Sequence, residues 1–110
     1  MGYKLIITEA AEKQFDNLIF HLIYEFHNES AASHLLNNVQ EIYEHLQQNP
    51  YQFPVYENPL FTQTEYHKAI LLDMNYLVLF RIENECVYII GIFHQLENYV
   101  VHLIKSSDYI

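Results

Sequence analysis

Apolar residues recur along this chain with spacings that predict two kinds of element. A short apolar run at residues 3–7 predicts a strand. Two longer stretches carry apolar residues every three or four positions, which is the spacing of one helix face. The first stretch contains Ala11, Phe15, Leu18, Ile19, Leu22, Ile23 and Phe26, and the second contains Ala32, Leu35, Leu36, Val39, Ile42, Tyr43 and Leu46. The short link between them predicts an antiparallel helical hairpin.

Polar residues predict where the two helices begin and end. Thr8 is the predicted N-cap of the first helix, and the polar residues 27–29 break its apolar stripe. Ser30 is the predicted N-cap of the second helix. That helix should stop at Asn49, because a residue that precedes proline disfavours helical backbone angles.

Three apolar segments follow a proline-containing connection at residues 50–64. They cover residues 65–72, 76–82 and 86–94, and two tight polar turns join them. Apolar runs rich in Val, Ile, Tyr and Phe predict consecutive antiparallel strands. Aromatic residues alternate with the prolines of the connection, so we expect that loop to pack on the body of the domain.

The order of these segments predicts an α+β fold, β-α-α-β-β-β, with the helical hairpin packed on one face of a mainly antiparallel sheet. The first strand must join that sheet to satisfy its backbone hydrogen bonds. With 110 residues, positions 1–110 have the size of a single domain.

The C-terminal tail, residues 95–105, predicts a short amphipathic helix. Its apolar residues at helical spacing are Leu96, Tyr99, Val100, Leu103 and Ile104. Such a face can pack on its own domain, or it can offer an apolar surface to a homodimer or to a partner helix.

Acidic residues dominate the charge of the chain. There are 5 Lys and Arg residues against 14 Asp and Glu residues, which gives a formal net charge of −9. A broad basic patch of the kind that binds nucleic acid is therefore excluded. A small local cluster of Lys68, Arg81 and a protonated His94 stays possible.

The cysteine count, the histidine spacing and the hydropathy limit the cellular compartment and the kinds of site that we expect. The single cysteine, Cys86, excludes an internal disulfide, and we expect a reducing cytoplasm. No apolar run approaches the ~20 residues that span a bilayer, and the first residues do not have the order of a signal peptide. The histidines form no ligand triad, although His21 and Glu25 are one helical turn apart, so we expect no metal site.

In this order and spacing, the segments resemble the RelE/ParE superfamily of toxins from type II toxin–antitoxin modules. The resemblance covers residues 3–94. It rests on residues 6–12, Ala31-Ala32, residues 46–50, residues 75–82 and residues 90–94. It implies a compact domain wrapped by a cognate antitoxin, without a cofactor. It also implies one of two targets, since RelE-like members cleave mRNA on the ribosome and ParE-like members inhibit DNA gyrase.

The same resemblance implies candidate catalytic residues. Arg81 occupies the position of the family's strand arginine and would hold a phosphate through two hydrogen bonds. His94 corresponds to a histidine at the end of the last strand, where it would act as a general acid or base. Lys68 lies in the strand region where members often carry cations, and Tyr99 would stand in for a C-terminal tyrosine.

Each of these residues also has a purely structural interpretation. Arg81 can pair with Glu83 or Glu85 across a turn, His94 can be a hydrogen-bonded residue at a strand end, and Lys68 can face solvent. The chain also departs from the mRNA-cleaving members, because the loop at residues 53–58 carries no Lys or Arg where other members place them.

Two classes of function therefore stay open. The first is a toxin that cleaves mRNA or inhibits gyrase. The second is a non-catalytic protein of the same fold, whose acidic surface would bind a basic protein partner.

Overall fold

A computed structural model describes residues 2–57, 64–71 and 74–95. In these ranges the elements are β1 (Lys4–Ile7), α1 (Glu9–Phe20), α2 (Glu29–Gln48), β2 (Tyr66–Ile70), β3 (Tyr76–Glu83) and β4 (Cys86–His94). This order confirms the predicted β-α-α-β-β-β arrangement. The helix predicted for the tail lies outside the described residues, apart from Gln95.

The four strands form one sheet in the order β1-β4-β3-β2. β1 is an edge strand and pairs in parallel with β4, whereas the other two strand pairs are antiparallel. A tight turn joins β3 to β4, and its residue Asn84 has φ of 55°, in the left-handed region that asparagine tolerates. The length of this turn places Glu83 opposite Cys86 and Arg81 opposite Tyr88.

Apolar side chains are buried on both faces of the sheet. A larger cluster joins the sheet to the two helices and contains Val78 and Phe80 of β3, while a smaller cluster contains Leu77 and Leu79. Because side chains alternate along a strand, Arg81 lies on the same side as Leu77 and Leu79. We call the side of the larger cluster the helix face and the other side the Arg81 face.

Thr8 ties α1 to the sheet, as the sequence predicts for an N-cap. Its hydroxyl oxygen accepts a hydrogen bond from the Ala11 N–H at 3.2 Å, and its hydroxyl donates to the Ile89 carbonyl at 2.8 Å. One side chain therefore caps the helix and joins it to β4.

The N-cap of α2 is Asn28, and the prediction of Ser30 was wrong. The Asn28 side-chain oxygen accepts a hydrogen bond from the Ala31 N–H at 3.0 Å, and the helix begins at Glu29. His27, with φ of 49°, directly precedes this cap, which lies two residues earlier than predicted. The C-terminal limit is as predicted, since α2 ends at Gln48 and Asn49 is extended.

The first helical stripe does not continue as regular α-helix to Phe26. α1 ends at Phe20, and a π-helical turn at His21–Glu25 follows it. The Phe26 N–H donates to the His21 carbonyl at 3.1 Å, five residues earlier in the chain, which is the wider spacing of a π turn.

The described part of the proline-containing loop packs on β2, as predicted. The Tyr56 N–H donates to the Tyr66 carbonyl at 2.7 Å, and the Lys68 N–H donates to the Pro54 carbonyl at 3.0 Å. The loop therefore covers the outer edge of β2 along Tyr66–Lys68.

A β-bulge interrupts the pairing of β3 with β4. Leu79 pairs with Gly91 and Phe80 pairs with Ile89, so Ile90 is the extra residue. An extra residue reverses the alternation of side chains beyond it. After the bulge, Ile92 packs in the helix-face cluster, whereas simple alternation from Tyr88 would have placed it on the Arg81 face.

Candidate functional site: the Arg81 face

One row of side chains crosses all four strands on the Arg81 face. Ile6 pairs with Tyr88, Tyr88 pairs with Arg81, and Arg81 pairs with Tyr66. The Arg81 guanidinium lies over the Tyr88 ring, with its central carbon 4.0 Å from the ring centroid. The guanidinium also forms a hydrogen-bonded ion pair with Glu83, two residues further along the same strand. Arg81 is therefore fixed by its neighbours, with 29% of its side chain exposed.

Tyr66 flanks Arg81 on the other side and is buried, with 4% exposure. Burial raises the pKa of its hydroxyl above the ordinary 10.0, and the positive charge of Arg81 only partly offsets this rise. The hydroxyl therefore stays protonated at neutral pH. Tyr66 can support and orient the guanidinium, but it cannot serve as a general base.

Positive charge is concentrated on this face, although the chain as a whole is acidic. Lys68 is half-buried next to Tyr66, with its Nζ 5.6 Å from the Tyr56 ring centroid. Lys4 of β1 pairs with Cys86, which in turn pairs with Glu83, so Lys4 lies in the row beside that of Arg81. Three of the four Lys and Arg residues in the described ranges are therefore on the Arg81 face.

The remaining described cation lies elsewhere, on a helix. Lys13 of α1 forms an exposed ion pair with Glu9 one helical turn earlier, at 3.2 Å. The concentration of positive charge on the Arg81 face is thus a property of the strands, not of the helices.

His94 does not share this face. It pairs with Tyr76, and the two rings meet edge to face with centroids 5.3 Å apart. Tyr76 packs against the helix-face cluster. The structure therefore brings Arg81 and Lys68 together and leaves His94 on the opposite side of the sheet. Tyr99, the fourth predicted residue, lies outside the described residues.

His67 is a buried histidine for which the sequence suggested no role. Its ring stacks on Phe80 with centroids 5.4 Å apart, and its Nδ1 donates to the Phe53 carbonyl at 3.0 Å. Its Nε2 lies 3.5 Å from a carboxylate oxygen of Glu65. These contacts anchor the loop to β2, which is a structural role.

Histidine and carboxylate side chains do not gather into a metal site in the described part of the chain. No group of three or more His, Cys, Asp or Glu residues in that part could hold a metal ion. His21 and Glu25 instead form a pair on the π turn, with Nδ1 2.9 Å from the carboxylate oxygen.

Sequence reasoning missed Lys4, Tyr66 and Tyr88 as members of this site. The short turn after β3 is a signal that could have found Tyr88, because it fixes which residue lies opposite Arg81. Lys4 could not be found in this way, since its place depends on the parallel register of β1 with β4, which no local turn determines.

The Arg81 face combines cations with aromatic rings. Cleavage of RNA by its own 2′-hydroxyl needs a proton acceptor and a proton donor beside the phosphate. Here the Glu83 carboxylate is engaged by Arg81, and His94, the predicted general acid or base, is on the other face. Cations held over aromatic rings are well suited to contact carboxylates of a protein partner.

A helical hairpin packed on one side of a four-stranded, mainly antiparallel sheet is the architecture that the RelE/ParE resemblance implies. The chain belongs to the ParE toxin family. The family model described as "ParE toxin of type II toxin-antitoxin system, parDE" matches residues 5–99. This match confirms the resemblance drawn from the sequence and makes the chain a toxin of the type II class.

A solved structure has the same fold. It is titled "Chromosomal ParDE TA system from P. aeruginosa", and the superposition has a TM-score of 0.67 at 18% identity. The match covers 84% of this chain and 95% of that one. At this identity the likeness concerns the fold alone. No curated protein matches the chain.

Neither α1 nor α2 is long and apolar enough to cross a bilayer, and this holds for all helices in the described ranges.

Proposed function

We propose that this protein is a cytoplasmic toxin that inhibits DNA gyrase by binding it through the Arg81 face, and that a cognate antitoxin neutralises it. Membership of the ParE family supports gyrase as the target, because the ParE-like branch of the superfamily is the one that acts on gyrase. Residues 1–110 would act as one domain, without a cofactor.

The observation that carries this proposal is the separation of Arg81 from His94 by the sheet. In an mRNA-cleaving toxin, a phosphate-binding arginine and a general acid or base must reach the same phosphate. Here the residues predicted for these two roles lie on different faces. Arg81, Lys68 and Lys4 lie on the same face of the sheet, which favours a protein surface that binds acidic groups.

In this proposal Arg81 is the central contact residue and Lys68 lies at its border. Tyr66 and Tyr88 position the guanidinium, because they flank it on both neighbouring strands. The catalytic roles predicted for His94 and Tyr99 stay predictions, and the gyrase mechanism requires neither of them.

Induced expression in bacterial cells tests the proposal. We expect growth arrest from the wild-type toxin, and we expect the antitoxin encoded by the neighbouring reading frame to relieve it. Arg81→Ala should abolish arrest, and His94→Ala should preserve it. Lys13→Ala is the matched control, since it removes a described cation that lies outside the Arg81 face.

Two outcomes would contradict the proposal. Relief of arrest by His94→Ala, together with new 5′ ends in cellular mRNA, would point to ribosome-dependent cleavage. Absence of growth arrest with the wild-type chain would favour the alternative, a non-catalytic protein of the same fold. Its net charge of −9 suits such a protein to bind basic partners.

A further inference from the structure

A cavity of about 280 Å³ lies between α2 and the end of β2, at the border of the helix-face cluster. This volume is close to the lower limit of the ~300–1,000 Å³ that is usual for pockets that hold small molecules. Its apolar lining consists of Ile42, Phe53, Ile70 and Leu71. Leu71 is buried, whereas Ile70 is 48% exposed, so this lining extends from the core to the surface.

Asn38 adds an unpaired hydrogen-bond donor to the lining of the cavity. Its side-chain Nδ2 is buried from solvent and has no hydrogen-bond partner among the described residues. Buried amide groups in folded proteins almost always have an acceptor, because an unpaired one loses its hydration without compensation. An oxygen atom of a molecule bound in the cavity would supply the missing acceptor.

The polar part of the lining favours a positively charged ligand group. Glu41 follows Asn38 by three residues, which places both on the same side of α2. Glu41 is exposed, and no Lys or Arg is among the described residues that line the cavity. Because the whole chain also has a net charge of −9, a cation at this rim is favoured over an anion.

We propose that the cavity binds a small aliphatic amine that also carries a carbonyl oxygen, the chemistry that aliphatic amino acids and their amides share. The carbonyl oxygen accepts a hydrogen bond from Asn38, and the ammonium group pairs with Glu41. The aliphatic part of the ligand packs against the apolar lining. The site lies on the helix side of the sheet, separate from the Arg81 face, and does not depend on which target the toxin has.

L-Leucinamide is the first probe, because it has an isobutyl group, an ammonium group and a carbonyl oxygen. Its titration into the full-length ¹⁵N-labelled protein should shift the Asn38 side-chain amide and the backbone amides of Ile70 and Leu71, with a Kd on the order of 1 mM. L-Leucine is the second probe and has a carboxylate in place of the amide. Binding of both would assign the site to free amino acids as well, and binding of leucinamide alone would assign it to amides; each result supports the proposal.

Three simpler molecules each lack one group of leucinamide. Glycinamide lacks the isobutyl group and should bind about tenfold more weakly or less, because it buries less apolar surface. 3-Methylbutylamine lacks the carboxamide and should bind about fivefold more weakly, the effect of one hydrogen bond. 4-Methylpentanamide lacks the ammonium group and should bind about threefold more weakly. Equal affinity of all four molecules would overturn the proposal.

Replacement of Asn38 tests the hydrogen bond. Asn38→Leu should weaken leucinamide binding about fivefold and should change the binding of 3-methylbutylamine, which has no carbonyl, by less than about twofold. Asn37→Leu, at the exposed neighbouring position, should affect neither ligand. Asn38→Leu removes a buried donor that has no partner, so the variant should unfold at no lower temperature than the wild type.

Replacement of Glu41 tests the ion pair without a change in the core. In Glu41→Gln, leucinamide should lose its advantage over 4-methylpentanamide. Glu44→Gln is the matched control, since Glu44 is an exposed carboxylate of the same helix that does not line this cavity, and it should keep the difference.

Two further results would overturn the proposal. One is the absence of shifts at Asn38, Ile70 and Leu71 with leucinamide at about 10 mM, well above the expected Kd. The other is leucinamide binding that Asn38→Leu and Glu41→Gln both leave unchanged. Neither result bears on growth arrest, so failure here leaves the proposed toxin function unaffected.

Discussion

Arg81 and His94 lie on opposite faces of the sheet because a β-bulge at Ile90 lies between them along the strand pair. Arg81 pairs with Tyr88 before the bulge, and Tyr76 pairs with His94 after it. Simple alternation from Tyr88 would place His94 on the Arg81 face. The extra residue reverses that alternation, so the two candidate side chains lie on different faces.

The lysines that share the Arg81 face should contribute to target binding more than a lysine that lies elsewhere. We expect Lys4→Glu and Lys68→Glu each to raise the toxin concentration needed for half-maximal gyrase inhibition by about fivefold or more, since each reverses a charge at the border of the contact. Lys13→Glu should change it by less than about twofold, within the same range of surface effects. An equal effect of all three variants would show that net charge, and not this face, determines inhibition.

The capping residues of α2 should respond differently to alanine. Asn28→Ala should lower the free energy of unfolding by about 1 kcal/mol, because the Ala31 N–H loses its acceptor. Ser30→Ala should change it by less than about 0.5 kcal/mol, the usual range for a surface substitution. Urea denaturation of both variants measures the difference, and a larger effect of Ser30→Ala would place the cap where the sequence pattern alone put it.

Gly91 should tolerate no side chain, because a β-carbon there would lie against Gln14 and 2.6 Å from the Phe93 ring. The Gln14 side-chain oxygen accepts a hydrogen bond from the Ile92 N–H at 3.2 Å, so it cannot move away freely. We expect Gly91→Ala to lower the free energy of unfolding by about 1–3 kcal/mol.

A double-mutant cycle separates these two contacts of Gly91. Gly91→Ala should destabilise the protein less in a Gln14→Ala background, since one of the two obstacles is then absent. Additive losses of unfolding free energy would show that Gln14 does not restrict this position.

Tyr43 should make the protein sensitive to strongly alkaline pH. Burial raises the pKa of its hydroxyl from 10.0 to about 12, so the folded state retains a proton that the unfolded state loses in this window. Stability from this group is complete below pH 10 and falls as pH rises toward 12, by at most about 1.4 kcal/mol per pH unit. Denaturation at a series of pH values measures the slope.

Phenylalanine variants test whether Tyr43 causes this dependence of stability on pH. Tyr43→Phe should reduce it, whereas Tyr24→Phe should not, because Tyr24 is 64% exposed. Burial raises the pKa of Tyr66 as well, so a residual slope in the same direction is expected in Tyr43→Phe. An unchanged slope in this variant would contradict the assignment.

Much of the fold could be predicted because its signals are local. Helical spacing, the cap at Thr8, the proline after Asn49 and the short turn around Asn84 each depend on a few neighbouring residues. The Ser30 cap was wrong because the reversal depends on His27 in a left-handed conformation, which histidine adopts infrequently and which no pattern indicated.

The candidate site could be predicted only in part, since it depends on contacts between distant segments. Arg81 and Lys68 were found as charged residues within apolar strands, but their shared face follows from the register of β2 with β3. The separation of His94 depends on a bulge whose sequence signal is the single residue Gly91. Lys4 was missed because its place near Arg81 depends on the pairing of β1 with β4, two strands that are far apart in the sequence.

A supercoiling assay with purified gyrase tests the central claim most directly. Relaxed plasmid would be incubated with gyrase and ATP in the presence of wild-type toxin, Arg81→Ala or His94→Ala. We predict that the wild type and His94→Ala inhibit supercoiling and that Arg81→Ala, with its fold verified by circular dichroism, does not. Undiminished supercoiling with the wild-type toxin, or equal inhibition by Arg81→Ala, would contradict binding of gyrase through the Arg81 face.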